Sequence, residues 1–447
     1  MERFDAIVIG AGQAGPGVAA DLAARHPRVA LIELDQVGGT CLNHGCRPTK
    51  ALRASSQAAH RARRASDFGV HTGDVTVDFG AVMQRMHTMI DNWVTGLREW
   101  LTGLDNLELI TGTARLQPSL DGNHRVVVGD RTLSAPEIYL DLGARAAAPP
   151  IPGLDQVAYL TEVELLRLTE LPDSLIIIGG SYIGCEFGQM FARFGTQVTI
   201  IGSIAPREDP DVSQAVTAML REEGVRIVEA RATGVEAAGD EIIVSCDDGS
   251  TSTGSQLLVA AGRRPNTDLL GPDHGLQLDD HGFIRIDSRF ATSVRGIWAL
   301  GDVNGHGAFT HTAYQDGQIL LDPERTVEGR ITAYAMFTDP PLGRVGMTAA
   351  EARSSGRRVL KAELPMSRVS RAVLDSETTG LMRVLVDADT DEILGATFFG
   401  LDGDELVQQL GLAMQAKIDY KTVRDALPIH PTVAEFIPTL MSSLTEL

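Results

Sequence analysis

Two cysteines, Cys41 and Cys46, lie near the N-terminus with four residues between them. Gly45 allows a bend that could bring their sulfurs within disulfide distance. A helix predicted to start near Pro48 would place Cys46 at its positive end, which lowers a thiol pKa and favours the thiolate. The pattern predicts a redox-active pair or half of a zinc site. Because no second close cysteine pair exists, redox chemistry is favoured.

The other two cysteines, Cys185 and Cys246, stand alone in a predicted helix and a predicted strand, which favours buried structural thiols. Four cysteines in 447 residues do not make the disulfide framework of a secreted protein. The first residues carry acids where a signal peptide needs bases, and no apolar run approaches the roughly eighteen residues of a membrane helix. We therefore expect a cytoplasmic protein that does not enter a membrane.

The composition is that of a globular protein with an acidic surface. Hydrophobic residues make up 43% and charged residues 22% of the chain, which excludes a disordered or fibrous protein. The formal net charge of −20 repels phosphate backbones, so we expect no nucleic acid partner. A chain of 447 residues predicts roughly two to four domains.

Upstream of the cysteines, an apolar strand, a glycine-rich turn, a helix and a second strand follow one another within about thirty residues. Gly10 allows the tight turn, Gly12 lets the backbone approach a pyrophosphate, and Gly15 lets the helix pack against the strand. Glu33 ends the second strand, where it can accept a hydrogen bond from a ribose hydroxyl. The unit predicts a dinucleotide site with the pyrophosphate at the helix N-terminus.

A second unit of this kind begins near residue 174, with one change. Gly179 and Gly184 flank Ser181, which stands where the middle glycine is expected. A serine leaves less room for a pyrophosphate than a glycine does, but its hydroxyl adds a hydrogen-bond donor. Dinucleotide binding is therefore still favoured. The second strand of this unit ends at Gly202 without an acid, which removes one barrier to the 2′-phosphate of NADPH. Arg207 either pairs with that phosphate or is a surface arginine, and the sequence leaves both open.

These units predict an α/β fold with two Rossmann-like dinucleotide-binding domains, and the alternating strands after about residue 330 predict a separate C-terminal α+β domain. The first unit lies within residues 1–150 and the second within residues 151–270. The proline-rich residues 149–153 are the predicted hinge.

Over essentially its whole length, the chain resembles the FAD-dependent pyridine nucleotide–disulfide oxidoreductases, which include dihydrolipoamide dehydrogenase, glutathione reductase and mercuric reductase. The resemblance implies that the sulfur of Cys46 lies against the flavin and that Cys41 exchanges with substrate. It also implies that Lys50 lies near flavin N5 and pairs with Glu186. It further implies an FAD-binding domain with the redox disulfide in residues 1–150, completed by residues 271–330, an NAD(P)-binding domain in 151–270, and an interface (dimerisation) domain in 331–447.

The residues that the resemblance assigns to cofactors fall into two groups. Those expected to bind FAD are Gly10, Gly12, Gly15, Glu33, Gly39, Thr40, Lys50, Gly301, Asp302 and Thr310. Those expected to bind NADPH, or NADH, are Gly179, Ser181, Tyr182, Gly184, Arg207 and Gly262.

Near the C-terminus, His430 and Glu435 match the acid–base histidine of the thiol-active members and the glutamate that orients it. A histidine suits this role because it gains and loses a proton near neutral pH. The resemblance implies that His430 serves the Cys41–Cys46 pair of the other chain. We therefore expect a homodimer whose active sites are shared between chains.

The favoured electron acceptor is a small disulfide, and other acceptors stay open. A metal-ion reductase of the mercuric reductase type is one alternative, although those enzymes carry a pair of cysteines near the C-terminus and no cysteine follows Cys246 here. No resident metal ion is expected. Dihydrolipoamide dehydrogenase is another, although Pro428 stands where that branch has a second histidine. An FAD-bearing redox sensor or partner subunit is the non-enzymatic alternative.

Three features near the redox pair and the first unit depart from the family pattern. Arg47 either stabilises the thiolate of Cys46 or attracts an anionic substrate, or it is simply an exposed arginine. His44 stands where close relatives often have apolar residues. The segment that begins at Asp141 replaces a common Ala-Thr-Gly.

Overall fold

The computed structural model describes residues 1–120, 122–272 and 274–447. In the predicted FAD-binding segment, apolar runs broken by glycine turns form short strands, and Ala-rich stretches form helices. The strands are β1 Glu2–Arg3, β2 Ala6–Ile9, β3 Val29–Glu33, β4 Leu107–Thr111, β5 Ala114–Leu120, β6 Asn123–Val128, β7 Arg131–Ala135, β8 Glu137–Leu140 and β9 Ala144–Ala146. The helices are α1 Gly15–Arg25, α2 Gly39–Asn43, α3 Cys46–Arg63 and α4 Phe79–Thr102.

The next two segments repeat the strand–helix alternation and then return to the first domain. Residues 151–270 contain α5 Glu162–Leu165, β10 Ser174–Gly180, α6 Tyr182–Phe194, β11 Gln197–Ile204, α7 Pro210–Glu222, β12 Arg226–Val228, β13 Ala232–Ala238, β14 Glu241–Cys246, β15 Thr251–Gly254, β16 Gln256–Val259 and β17 Arg263–Pro265. Residues 271–330 contain β18 Ile297–Ala299 and α8 Thr310–Leu321.

The C-terminal segment is an antiparallel sheet with helices. Its elements are β19 Ala333–Met336, β20 Leu342–Gly346, α9 Ala349–Ser354, β21 Val359–Pro365, α10 Ser370–Leu374, β22 Leu381–Asp387, β23 Ile393–Phe399, α11 Gly403–Gln415, α12 Tyr420–Arg424, α13 Phe436–Met441 and β24 Thr445–Glu446. Short 3₁₀ turns cover Ala65–Phe68, Leu154–Gln156, Asn266–Leu270, Gly301–Asn304 and Met366–Arg368.

A parallel five-stranded sheet in the order β18-β8-β2-β3-β4 forms the centre of the first domain. All four residues of β2 are buried, because a parallel sheet is covered on both faces. Strand β18 comes from residues 271–330 and pairs with β8, with Ile297 opposite Ile138. The later segment therefore adds an edge strand to the sheet that carries the first glycine-rich turn.

The second domain has a parallel sheet in the order β12-β11-β10-β16 and a three-stranded antiparallel sheet, β13-β14-β15. Ile176 and Ile178 of the parallel sheet share one hydrophobic cluster with Val244 of the antiparallel sheet. Cys185 and Cys246 are both buried, as predicted.

The third sheet runs β19-β20-β23-β22-β21-β24, with α11 packed on it. Buried Arg383 in β22 links this sheet to the second domain, since its guanidinium lies 2.9 Å from Asp209, which precedes α7, and 2.9 Å from Glu363 in β21. A buried arginine satisfied on several sides holds the two domains in one orientation.

The predicted α/β class, with two Rossmann-like units and a C-terminal α+β domain, is confirmed. The domain boundaries at residues 150, 270 and 330 stay predictions. Among the residues that the structure describes, no helix is both long and apolar enough to cross a bilayer.

Candidate active site

The two cysteines of the predicted redox pair lie on consecutive helices. Cys41 is in α2 and Cys46 is the first residue of α3, as its predicted place at a helix start requires. The turn between them needs a residue without a side chain, because a Cβ on Gly45 would lie 2.9 Å from the carbonyl oxygen of Thr40. Both cysteines are free thiols, and their sulfurs are in hydrogen-bond contact.

The environments of the two sulfurs differ. The Cys41 S–H donates to Cys46, and this bond, the Thr310 hydroxyl at 3.1 Å and the charge of Lys50 lower the pKa of Cys46 to about 6. The same bond and burial raise the pKa of Cys41 well above its usual value. At neutral pH the reduced pair therefore holds one thiolate, on Cys46, and one proton, on Cys41.

A lysine–glutamate pair lies beside the cysteines. The Lys50 Nζ of α3 lies 2.9 Å from Glu186 Oε2 of α6, so the structure brings together two residues far apart in the chain. Glu186 is only 4% exposed, and its second oxygen accepts from the backbone N–H of Phe337 at 2.9 Å. The carboxylate is thus held from two sides, which fixes the ammonium group next to the redox pair.

We expect Lys50→Met to lower the free energy of unfolding by about 2 kcal/mol, because Glu186 would stay buried without its cation. The change also removes a positive charge that lowers the pKa of Cys46, so the thiolate should form at higher pH. Thermal unfolding measures the first effect, and a pH titration of thiolate ultraviolet absorbance in the reduced protein measures the second.

Lys50→Arg is the matched control, and it should stay close to the wild type in both measurements. The double variant Lys50→Met/Glu186→Gln should regain part of the lost stability, and its thiolate titration should lie between those of Lys50→Met and the wild type. A thiolate titration that is unchanged in Lys50→Met would contradict the electrostatic role.

A cleft of about 420 Å³ runs from the first glycine-rich turn to the cysteines. Gly10, Gly12 and Glu33 line one end of it, and Glu33 accepts from the backbone N–H of Ala11 at 2.8 Å. A Cβ on Gly12 would lie 2.7 Å from a carboxylate oxygen of Asp141, so the turn has no room for a side chain there. A bare-backbone turn at a helix N-terminus, ending beside an acid, fits the diphosphate and ribose of FAD.

The middle and far end of the cleft contain most of the other residues predicted to bind FAD. Gly39, Thr40, Lys50, Asp302 and Thr310 all line it. Gly15 and Gly301 lie just behind the wall: the Gly15 N–H donates to Asp141 and the Gly301 N–H donates to Asp316. The elements that converge here are α1, α2, α3 and the start of α8, and the cleft lies between them.

Tyr182 marks the border between this cleft and the second dinucleotide unit. Its side chain lines the cleft and lies 5.9 Å from the ring of Phe309. Ser181 and Arg207 line a second, smaller depression, to which both of these rings also contribute. Arg207 is exposed, and its acidic neighbour Glu208 bonds to Tyr334 instead of to it.

The other residues predicted for the second unit, Gly184 and Gly262, contact the protein backbone. Gly184 packs against the carbonyl of Gly179, as Gly15 packs against that of Gly10 in the first unit. Gly262 is exposed and lies outside the cleft, where its carbonyl accepts from Ala147 N–H at 3.0 Å. Its assignment to NAD(P) binding stays a prediction.

His430 lies far from this cleft on the surface of its own chain. Its imidazole is 76% exposed, and Nδ1 lies 2.8 Å from Glu435 Oε2. The glutamate thus orients the ring and leaves Nε2 directed outward. Two apolar side chains beside it, Leu427 and Ile429, are 96% and 78% exposed. A polarised histidine amid bare apolar side chains is typical of a surface that packs against another chain.

Several residues of the site were not predicted from the sequence. Asp141 was noted only as a departure from the family pattern, but it is buried in the wall of the cleft. Arg263, next to the predicted Gly262, lines the cleft and pairs with Glu162 at 2.7 Å. Phe309 stacks on Tyr334 with ring centroids 5.4 Å apart.

Two further residues were singled out beside the cysteines, Arg47 and His44. The Arg47 guanidinium lies 4.7 Å from the ring centroid of Trp93. Its side chain is exposed in a cation–π contact with that ring, while its positive charge opposes the raised pKa of Cys41. His44 lines the cleft, and burial lowers its pKa, which favours a neutral imidazole.

Residues 4–317 match the protein family described as "Pyridine nucleotide-disulphide oxidoreductase", and residues 332–441 match the dimerisation domain of that family. The chain belongs to this family. As a pyridine nucleotide-disulfide oxidoreductase it is a flavoprotein enzyme that uses FAD and NAD(P)H and acts on sulfur groups. Its C-terminal sheet is the dimerisation domain.

Relatives with different names share the whole length of the oxidoreductase. It is 33% identical over 460 residues to the "Probable pyridine nucleotide-disulfide oxidoreductase RclA" of Escherichia coli (strain K12), covering 99% of each chain. It is 30% identical over 447 residues to a dihydrolipoyl dehydrogenase of Chlamydia pneumoniae, covering 97% of this chain and 95% of the relative. The solved Cu(II) complex of the HOCl-induced flavoprotein disulfide reductase RclA from Escherichia coli superposes with a TM-score of 0.88 at 32% identity, covering 99% of each chain.

Proposed function

We propose that this oxidoreductase reduces a small disulfide with electrons from NAD(P)H, and that Cys41 and Cys46 carry the electrons to it. The observation that supports this is the asymmetry of the pair, with a thiolate on Cys46 and a proton on Cys41. A dithiol that reduces a substrate disulfide needs one sulfur to attack the substrate and the other to re-form the disulfide within the pair afterwards. Bound FAD supplies the two-electron relay from NAD(P)H to the disulfide.

In this proposal Cys41 is the attacking sulfur. After its proton is removed, Cys41 attacks the substrate disulfide, which forms a mixed disulfide and releases one substrate thiolate. The Cys46 thiolate then attacks Cys41, which restores the Cys41–Cys46 disulfide and releases the second substrate thiolate. Two electrons leave the pair; one departing thiolate takes up the proton that Cys41 gave up, and the other takes a proton from solvent.

The proton donor and acceptor in these steps is His430 of the partner subunit. On its own chain the imidazole faces outward, next to exposed Leu427, so it is placed to serve a neighbouring molecule. We propose that the dimerisation domain brings it to the other chain's Cys41. The reducing dithiol of Cys41 and Cys46 also supports a cytoplasmic location, where thiols are kept reduced.

NADPH is the proposed reductant in preference to NADH. The strand β11 passes Gly202, which supplies no carboxylate to repel a 2′-phosphate. Arg207, exposed a few residues later, is available to pair with that phosphate.

Reduction of a metal ion is a second candidate, and a solved Cu(II) complex of the 32% identical RclA favours it. The described residues contain no cluster of three or more histidine, cysteine or acidic side chains that could hold a metal ion. A metal ion would therefore meet the thiols of Cys41 and Cys46 as a substrate and accept electrons from them directly.

The test is oxidation of NADPH and NADH, followed at 340 nm, with a panel of lipoamide, glutathione disulfide, cystine, Cu(II) and Hg(II). We expect one of the disulfides to be reduced fastest and NADPH to be preferred. If a metal ion is reduced and none of the disulfides is, the second candidate will replace the disulfide proposal. For Cu(II), the Cu(I) formed is measured with a chelating dye. No turnover of any acceptor would favour a redox sensor or partner subunit.

A further inference from the structure

A buried carboxyl group lies directly beneath the first glycine-rich turn. Asp141 follows β8 and is 6% exposed. Its Oδ2 accepts from the backbone N–H of Gly15 at 2.8 Å and from that of Ala14 at 3.2 Å. Among the described residues no group donates to Oδ1, although Asp141 lines the cleft that fits FAD. One oxygen is thus satisfied by the start of α1, and the other has no protein partner.

The groups around Asp141 favour its neutral form. Burial, together with the negative charges of Asp302 after β18 and Glu33 at the end of β3, raises its pKa to about 8, against the lowering effect of the two N–H donors. Among the described residues no arginine or lysine pairs with it. A bound diphosphate would add further negative charge at the same helix end and raise the pKa again.

We propose that Asp141 is an FAD-binding residue that holds a proton in the complex, with Oδ2 accepting from the N-terminus of α1 and Oδ1–H donating to a phosphate oxygen of FAD. An ionised Asp141 would instead compete with the FAD diphosphate for the N-terminus of α1. The partial positive charge of a helix N-terminus can stabilise one negative group there, but not two. FAD binding is therefore coupled to uptake of one proton from solvent whenever Asp141 is ionised in the free protein.

This role fits the place of the residue in the sequence. The family pattern has an alanine at this position, which offers the diphosphate neither a charge nor a donor. Aspartate in its neutral form is both acceptor and donor, as an asparagine is, but it loses the donor and gains a charge when it ionises. The chain therefore carries a titratable side chain where the common family pattern has none.

The first test measures the dissociation constant of FAD between pH 7 and 9.5, from the fluorescence of FAD released on dilution of the holoenzyme. For the wild type, binding should weaken about tenfold for each pH unit above about 8. Asp141→Asn keeps the shape, the acceptor and the donor without the charge, so its dissociation constant should change little over this range. Asp141→Ala lacks the donor and should bind FAD about tenfold more weakly than Asp141→Asn at pH 7.

The second test counts protons directly. When FAD is added to the apoprotein at pH 9 and the heat is measured in two buffers of different ionisation enthalpy, the wild type should take up about one proton per FAD. Asp141→Asn should take up none. Uptake that persists in Asp141→Asn would assign the proton to Glu33 or Asp302 and overturn the proposal.

Equal pH slopes for the wild type and Asp141→Asn would also overturn it. If Asp141→Asn does not fold, Asp141→Ala serves the same comparison, since it too has no group to titrate. Absence of proton uptake by the wild type at pH 9 would overturn the proposal without any variant.

Discussion

Equal amounts of Cys46→Ala and His430→Ala chains, refolded together, are expected to recover about a quarter of wild-type turnover. Each homodimer alone should lose activity by about 10²-fold or more, because one lacks a redox sulfur and the other lacks the acid–base group. In a two-fold dimer with shared sites, the hybrid carries both lesions in one site and neither in the other. Random pairing makes half the dimers hybrids, each with one intact site of two.

The matched control is a mixture of Cys41→Ala and Cys46→Ala chains. Both lesions lie in the same half of the site, so every site of the hybrid keeps one of them and nothing should be recovered. A mixture of His430→Ala and Glu435→Gln chains is the equivalent control on the other half. If His430 serves its own chain, the first mixture will also stay inactive, and the shared-site proposal will be wrong.

The second large effect concerns the two sulfurs. Cys41→Ser and Cys46→Ser should each lose turnover with disulfides by about 10³-fold or more. Only Cys46→Ser should also lose the long-wavelength absorbance band that a thiolate against a flavin gives on two-electron reduction. Cys41→Ser should keep that band or show a stronger one, because Cys46 then has no disulfide partner. Retention of the band in Cys46→Ser would contradict the assignment.

The pH dependence of that band follows from the pKa of Cys46, about 6. The thiolate, and with it the band, should be present above this pH and fade below it. Cys41→Ala removes the S–H that donates to Cys46, the largest cause of the lowered pKa, so its band should fade at higher pH than that of Cys41→Ser, whose hydroxyl still donates. Coincident titrations of the two Cys41 variants would mean that this hydrogen bond is unimportant.

Much of the fold could be predicted because its signals are local. The strand–turn–helix–strand units around Gly10 and Gly179 lie within short stretches, and the hydrophobic period and glycine spacing together restrict them to one geometry. The start of α3 at Cys46 was predicted within two residues for the same reason. The contribution of residues 271–330 to the first sheet was expected only through the resemblance, since no local signal shows that β18 pairs with β8.

The orientation of single side chains was less predictable. Arg47 is adjacent to Cys46 in sequence, and this position suggested a contact with the thiolate. On a helix, consecutive residues point in directions about 100° apart, so the side chain of Arg47 leaves the cleft and meets Trp93 of α4. Arg47 is exposed, which is one of the readings that the sequence left open, whereas Thr310, far along the chain, supplies a hydroxyl to the sulfur of Cys46.

The sequence by itself determined the reaction class, because the cysteine pair, the glycine-rich turns and the histidine–glutamate pair are each short patterns whose chemistry depends on neighbouring residues. The tertiary structure alone decided which charges tune that chemistry. The pKa of Cys46 depends on the hydrogen bond from Cys41 and then on Thr310 and Lys50. The pKa of Asp141 depends first on burial, and then on the charges of Asp302 and Glu33. Electrostatic interactions act over distances in space and strengthen with burial. Only the folded chain brings these groups together and removes the water between them.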